Sequence, residues 1–377
     1  PANTFYKSIL QFLPGTVSVF DSKATLLSVC HLNMLETKHY KTRSLAMDAY
    51  EDELIKATKR WIRSDVGSCL ALSGGLDSSS LLAMIVNYTN VSPACYTHTC
   101  SHHEYDESIK AAHTIKSLRE NLKHVIVNIN ESDFYDLAIK TMQCIEEPFG
   151  GLPTMCHYEL FRAIKKDGNK VVLCGDGLDE QMMGYDYYSH RYSEKGPSTI
   201  QGTSRPTQPD IMKSFYRNMA TCSEWTPKNN VRHRDLFITK IPRSMRFSDR
   251  VSMAHGIELR PPFLSPTLVS MALNMPKKWL INGSKNKTVL RDIARKYLPY
   301  TIISRPKQTQ WAPQLEWLKR ADWVKDIIAS QKFKERGFYD MPKLNKRFNN
   351  FLINENKTSF YVWQWVNLEL WMRECVD

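Results

Sequence analysis

The hexapeptide Ser73-Gly74-Gly75-Leu76-Asp77-Ser78 collects the residue types that a phosphate site needs. Gly74 and Gly75 carry no Cβ and let backbone N–H groups come close to an anion, while Ser73, Ser78 and Ser79 add hydroxyl donors. Asp77 has the wrong charge for a phosphate unless a cation lies between the two, so the set points to a nucleotide held through Mg²⁺. A second polar cluster, Gly175-Asp176-Gly177-Leu178-Asp179-Glu180, supplies Asp179 as a further carboxylate for the same ion. In isolation an Asp-Gly-x-Asp loop reads as a tight turn or a helix cap. The first loop reverses that preference.

Both clusters follow short apolar runs, residues 68–72 and Val171-Val172-Leu173-Cys174, and an apolar helical pattern follows Ser78. The order predicted is strand, phosphate-binding turn, helix, with the positive helix N-terminus aimed at the anion. Upstream, Leu45, Ala49, Leu54, Ile55, Ala57 and Ile62 recur at helical spacing over 44–63. Downstream, the pattern predicts helices at 79–87, 107–118, 132–144 and 154–166 and strands at 94–99, 124–128 and 171–174. Alternation of this kind argues for an α/β fold, a doubly wound parallel sheet with right-handed crossovers and ligands at the carboxyl ends of its strands.

Residues 1–45 read as a linker with a hairpin, two short alternating runs at 16–20 and 25–29 that are marginal alone. The α/β core spans about 46–190, and the breakers between 187 and 226 predict a long loop or lid over the crevice. A mainly helical half follows over about 230–377, with helices at 287–297, 321–330 and 360–372. Residues 46–377 are thus expected to form one catalytic domain.

The chain has 377 residues, enough for a large core, and nine cysteines with no CxxC pair, which read as reduced thiols of a cytoplasmic protein. No apolar stretch has the length of a membrane span. The net charge of +12 comes from lysines and arginines dispersed along the chain, a solvated surface rather than a nucleic-acid groove.

The Ser73–Ser78 loop resembles the signature of the PP-loop ATP pyrophosphatases, and the chain as a whole resembles the synthetase domain of the asparagine synthetase family. The resemblance extends through Glu146-Glu147-Pro148-Phe149, residues 175–185 and 248–264, Lys287-Thr288-Val289-Leu290-Arg291 and Arg305-Pro306-Lys307. It implies an adenine nucleotide alpha-hydrolase-like fold and an ATP-dependent ligase. A substrate carboxylate attacks the α-phosphate of ATP, releasing pyrophosphate; ammonia or an amine then attacks the acyl-adenylate, giving an amide and AMP. Leu72, Ser73, Gly74, Gly75, Asp77, Ser78 and Gly175 are implied to bind ATP, and Asp77 and Asp179 to bind Mg²⁺. Lys307 matches a lysine that stabilises the charge on the α-phosphate, a role whose loss costs on the order of 10²–10³ in rate.

Three positions depart from the family pattern. Asp176 stands where asparagine synthetases often carry Glu and β-lactam synthetases Tyr; it is shorter than Glu by one C–C bond, roughly 1.5 Å, and as the group expected to take a proton from the amine or bind the developing ammonium it implies either a nucleophile that sits elsewhere or a rebuilt acceptor pocket. Ser265 follows Phe263-Leu264 where the family commonly has Asp. The sequence begins at Pro1 without the glutaminase domain of the family's amidotransferases, so the expected nitrogen source is a preceding domain, a separate glutaminase chain, free ammonia or another amine. The segments around Trp311 and Trp363 resemble members associated with surface-polysaccharide amidation, which implies a sugar-acid substrate. Trp363, Val366 and Leu370, however, share the spacing of a core-facing helix. A homo-oligomer is among the expectations. The competing functions are a PP-loop tRNA-modifying enzyme and a non-catalytic nucleotide-binding subunit.

Overall fold

A computed structural model describes residues 4–31, 39–100, 105–119, 121–185, 188, 210–214, 231–306, 312–353 and 359–377. Its centre is a parallel sheet of five strands. These are β3 (Ser68–Ala71), β4 (Ala94–Cys100), β5 (His124–Ile129), β6 (Val171–Leu173) and β7 (Glu258–Arg260), in the spatial order β5-β4-β3-β6-β7. The chain begins at β3, steps outward to β5, then returns to the other side of β3 for β6 and β7. The reversal falls between β3 and β6, where an open α/β sheet leaves a crevice at its carboxyl edge.

Registers place Leu70 of β3 beside Cys95 of β4 and Leu173 of β6. Alternate side chains enter two different cores. Cys69, Tyr96 and Val172 pack on one face with α4 (Phe134–Ile145), α5 (Leu152–Lys166) and the C-terminal helix Phe360–Cys375. Leu70, Cys95, Val171 and Leu173 pack on the other with α1 (Arg43–Trp61), α2 (Leu76–Tyr88) and α3 (Ser108–Leu118). Burial on both faces explains why these strands are near-continuous apolar runs. In α1 the Thr42 side chain caps the Leu45 N–H, and Ala46, Tyr50, Leu54 and Ala57 form the inward stripe. The doubly wound sheet and the helices on both of its faces agree with the α/β expectation.

The sheet does not stop where the α/β half was expected to end. β7 pairs with β6, Val172 opposite Leu259, although it lies among the helices of the second half. Three residues are too few to show a strand period, and the segment is extended because β6 offers it a ladder. Arg260 secures it: its guanidinium donates to the carbonyls of Trp61 (2.9 Å) and Arg63 (2.7 Å) and to the Glu258 carboxylate (2.8 and 3.1 Å).

The C-terminal helix clamps the Glu146–Phe149 motif. Trp363 Nε1 and Asn367 Nδ2 donate to the Phe149 carbonyl (3.0 and 2.9 Å), and Trp371 Nε1 to that of Glu146 (2.9 Å). Trp363, Val366 and Leu370 are all buried in the core, so their spacing reflects packing. A separate antiparallel hairpin, β1 (Thr16–Phe20) and β2 (Leu26–His31), leaves Val17, Val19, Leu26, Leu27 and Val29 exposed. The eight described cysteines are free thiols. Among the described residues no helix is long and apolar enough to cross a membrane. The loop expected over 187–226 lies largely outside the described residues.

Candidate active site

β3 ends at Ala71, and the chain turns through Ser73–Gly75 into α2. Gly74 makes the turn in the left-handed region (φ 69°), and a Cβ there would lie 2.5 Å from the backbone of Ala111 and Lys110. Only glycine meets both demands. The loop is prefolded by its own hydroxyls: Ser73 Oγ and Ser78 Oγ are 3.0 Å apart, and Ser73 Oγ accepts from the Gly75 N–H (3.3 Å). Arg305 braces it from outside, donating to the Gly74 and Lys110 carbonyls and lying 2.9 Å from His113 Nδ1.

β6 delivers the second loop to the same place. A Cβ on Gly175 would stand 3.1 Å from the Ser78 backbone nitrogen and 3.3 Å from the Asp77 side chain. Gly177 (φ 88°) turns the chain into the short helix α6 (Leu178–Gln181), whose first turn holds Asp179 and Glu180. Leu72, Ser73, Asp77, Ser78, Gly175, Asp176 and Asp179 line one cavity of about 1030 Å³ at the carboxyl ends of β3 and β6.

Asp77 and Asp179 meet at a residue to which the sequence reading assigned no role. Lys287 Nζ lies 2.6 Å from Asp77 Oδ2, 2.7 Å from Asp77 Oδ1 and 2.5 Å from Asp179 Oδ1. Lys287 is 2% exposed and adopts the left-handed conformation (φ 52°) at the start of the helix Thr288–Ala294. Next to it, Asn286 Nδ2 donates to the Gly184 carbonyl. Gly184 makes this approach possible, since a Cβ there would fall 1.9 Å from Asp179 Oδ1 and 2.2 Å from Lys287 Cε. Two aspartates close enough to share one ammonium can also face one hard cation. Their oxygen chemistry fits Mg²⁺ completed by phosphate oxygens and water. Among the described residues no group of three or more His, Cys, Asp or Glu forms a metal cluster by itself. Lys287 is a cation that the protein itself supplies to this pair.

Asp176 lines the same cavity, and Cys174 Sγ donates to its Oδ2 (3.1 Å). Burial pushes the Cys174 thiol well up, so it stays a protonated donor. Glu180 is nearly enclosed, with burial raising its carboxyl against the attraction of Lys240, whose Nζ lies 3.4 Å away. Lys240 also stands 3.1 Å over the Tyr185 ring. Lys307 lies outside the described residues.

The chain matches the asparagine synthase family over residues 49–373. The Bacillus subtilis protein named asparagine synthetase (glutamine-hydrolyzing) 3 is 25% identical over 383 residues, covering 87% of this chain and 59% of that one. Asparagine synthetase B (glutamine-hydrolyzing) of Escherichia coli is 23% identical over 345 residues, covering 86% of this chain and 55% of that one. The chain spans about half the length of the curated relatives it matches. A solved structure, NMN synthetase from Francisella tularensis, overlaps 66% of the chain at 15% identity with a TM-score of 0.26, too distant to carry an argument. With the family match running from α1 into the C-terminal helix and taking in both loops of the crevice, the chain belongs to the asparagine synthase family.

Proposed function

We propose that this chain is the synthetase unit of an ATP-dependent ligase that adenylates a substrate carboxylate and passes the acyl group to ammonia or an amine, releasing pyrophosphate and AMP. The observation that carries the reading is the meeting of the Ser73–Ser78 loop and the Gly175–Glu180 loop in one cavity at the sheet's switch point. The N-terminus of α2 and the N–H and hydroxyl groups of Ser73, Gly74, Gly75 and Ser78 hold the departing pyrophosphate. Leu72 and Gly175 are backbone walls of the nucleotide site. Asp77 and Asp179 would hold Mg²⁺, which when bound offsets phosphate charge. Lys287 holds the two carboxylates in place, Lys307 is assigned to the α-phosphate, and Asp176 attracts the incoming nitrogen.

The acid is aspartate or a sugar acid, and the nitrogen comes from a glutaminase domain, a separate glutaminase chain or free ammonia. The free thiols suit a cytoplasmic setting. ATP–pyrophosphate exchange measured with a panel containing L-aspartate and uronic acids tests the reading. Exchange that depends on one acid and disappears in Asp77→Asn supports it and identifies the acid class. Exchange that requires tRNA instead would overturn it, as would ATP binding with no exchange under any acid.

A further inference from the structure

The helix Lys240–Met253 turns one polar face to the cavity. Ser244 and Ser248 follow Lys240 at i+4 and i+8, so the three share that face and cover about 12 Å of it at 1.5 Å per residue. All three line the cavity. A serine side chain is one carbon and one oxygen, so a serine that lines a cavity brings its hydroxyl to it. Ser248 is only 5% exposed, and among the described residues neither its hydroxyl nor that of Ser244 makes a hydrogen bond. Inside a helix such a hydroxyl commonly turns back to the carbonyl four residues earlier, as that of Ser80 does toward Leu76 (2.7 Å). Those of Ser244 and Ser248 do not, and a buried hydroxyl left this way costs free energy unless a ligand pairs with it.

The stripe begins at the loop after β6, where Lys240 Nζ lies 3.4 Å from Glu180 Oε1. Among the described residues, the acidic and basic side chains of the cavity lining are six carboxylates, Asp176 and Glu316 among them, and one lysine, Lys240. A second free carboxylate on the substrate would enter a wall short of positive charge, since Glu180 already engages that lysine. Hydroxyl groups meet no such penalty, and like serine they both donate and accept. Spacing selects in the same direction. The two serines stand about 6 Å apart along the helix. An acid whose hydroxyls are spread over several carbons matches that interval better than aspartate, whose ammonium and second carboxylate share one carbon. We propose that this face of the helix recognises the body of the acid, and that the acid is polyhydroxylated, a uronic or aldonic acid rather than aspartate, held by hydrogen bonds from its hydroxyls to Ser244 and Ser248. The inference rests on the adenylation reading given above and narrows its substrate. Both serines are binding residues that set specificity, and neither takes part in making or breaking a bond.

The test measures ATP–pyrophosphate exchange by the full chain with D-glucuronate, D-galacturonate, D-gluconate, L-aspartate and succinate. A hydroxylated acid is expected to support exchange with a kcat/KM at least about 10²-fold above that of L-aspartate or succinate, because acids that leave the buried hydroxyls unpaired are penalised. Preference for a uronate or for gluconate separates the cyclic from the open-chain form. Ser244→Ala and Ser248→Ala should each raise the KM for that acid about tenfold, while changing kcat and the KM for ATP by less than about twofold, the split that loss of uniform binding produces. Exchange driven by L-aspartate or succinate in preference to every hydroxylated acid overturns the inference and leaves adenylation standing, as do serine variants with an unchanged KM for the acid. No exchange with any acid overturns the adenylation reading and this inference with it. Because the acid panel is read on the unmutated chain, a variant that fails to fold does not remove the test.

Discussion

Lys287 Nζ lies 2.6 Å from Asp77 Oδ2, joining residues 210 positions apart in the sequence. The same ammonium reaches Asp179 at 2.5 Å, so one buried cation spans the loops after β3 and β6. A charge this deep is tolerated only because two carboxylates surround it, and those carboxylates depend on it in turn.

Removing that cation leaves two acidic side chains facing each other with little water. Lys287→Met is expected to destabilise the protein by about 3 kcal/mol, the cost typical of breaking a buried ion pair from one side. Added Mg²⁺ should recover more stability in the variant than it adds to the wild type, because a hard cation can take the vacated place. Urea denaturation of both proteins with and without Mg²⁺ checks this. A variant as stable as the wild type, or one indifferent to Mg²⁺, would count against the arrangement.

The same pair limits what can stand at residue 184. A Cβ there would fall 1.9 Å from Asp179 Oδ1 and 2.2 Å from Lys287 Cε. Gly184→Ala must therefore push one of them away, at a cost of about 1–3 kcal/mol. Because the proposed function puts the displaced groups in the nucleotide site, ATP affinity measured by calorimetry should drop at least about tenfold, whereas Gly168→Ala, whose Cβ meets nothing within 4 Å, should leave it unchanged.

Burial, with a smaller contribution from His157, holds the His98 imidazole down to about 3 from its ordinary 6.5. Between those values the unfolded chain binds a proton that the folded chain does not, so stability falls as the pH drops through this window. From pH 7 to pH 5 His98 alone should account for about 2 kcal/mol of lost stability. His124 and His255, also lowered by burial, act in the same direction. His98→Gln should flatten the dependence measured by urea denaturation across that range. An unchanged slope would place His98 in contact with water.

Arg260 and Glu258 are expected to differ although they bond to each other. The Arg260 side chain is 18% exposed and also serves two carbonyls at the end of α1, whereas that of Glu258 is 60% exposed. Arg260→Ala should cost about 2 kcal/mol through the carbonyls it leaves unmet, and Glu258→Ala less than about 1 kcal/mol. Chemical denaturation of the two variants compares them directly.

Much of this architecture is written in short-range patterns. The Ser-Gly-Gly turn, the apolar runs before it and before Gly175, and the helical spacing in α1 and α5 each lie within a few residues, and local sterics and periodicity act over that range. The core role of Trp363, Val366 and Leu370 was legible for the same reason. β7 was not: its three residues carry no period, and pairing with β6 makes them a strand. Lys287 stands in a short motif, but nothing local in that motif shows which carboxylates it meets. It precedes an ordinary helix, and its partners lie 210 and 108 positions away in the chain. By itself the sequence determined which two loops follow the strands β3 and β6 and line one crevice, because the apolar runs and the glycine, serine and aspartate turns after them are local patterns. The tertiary structure alone decided which cation joins them, because those contacts bring together residues far apart in the chain and exist only once both faces of the sheet are packed.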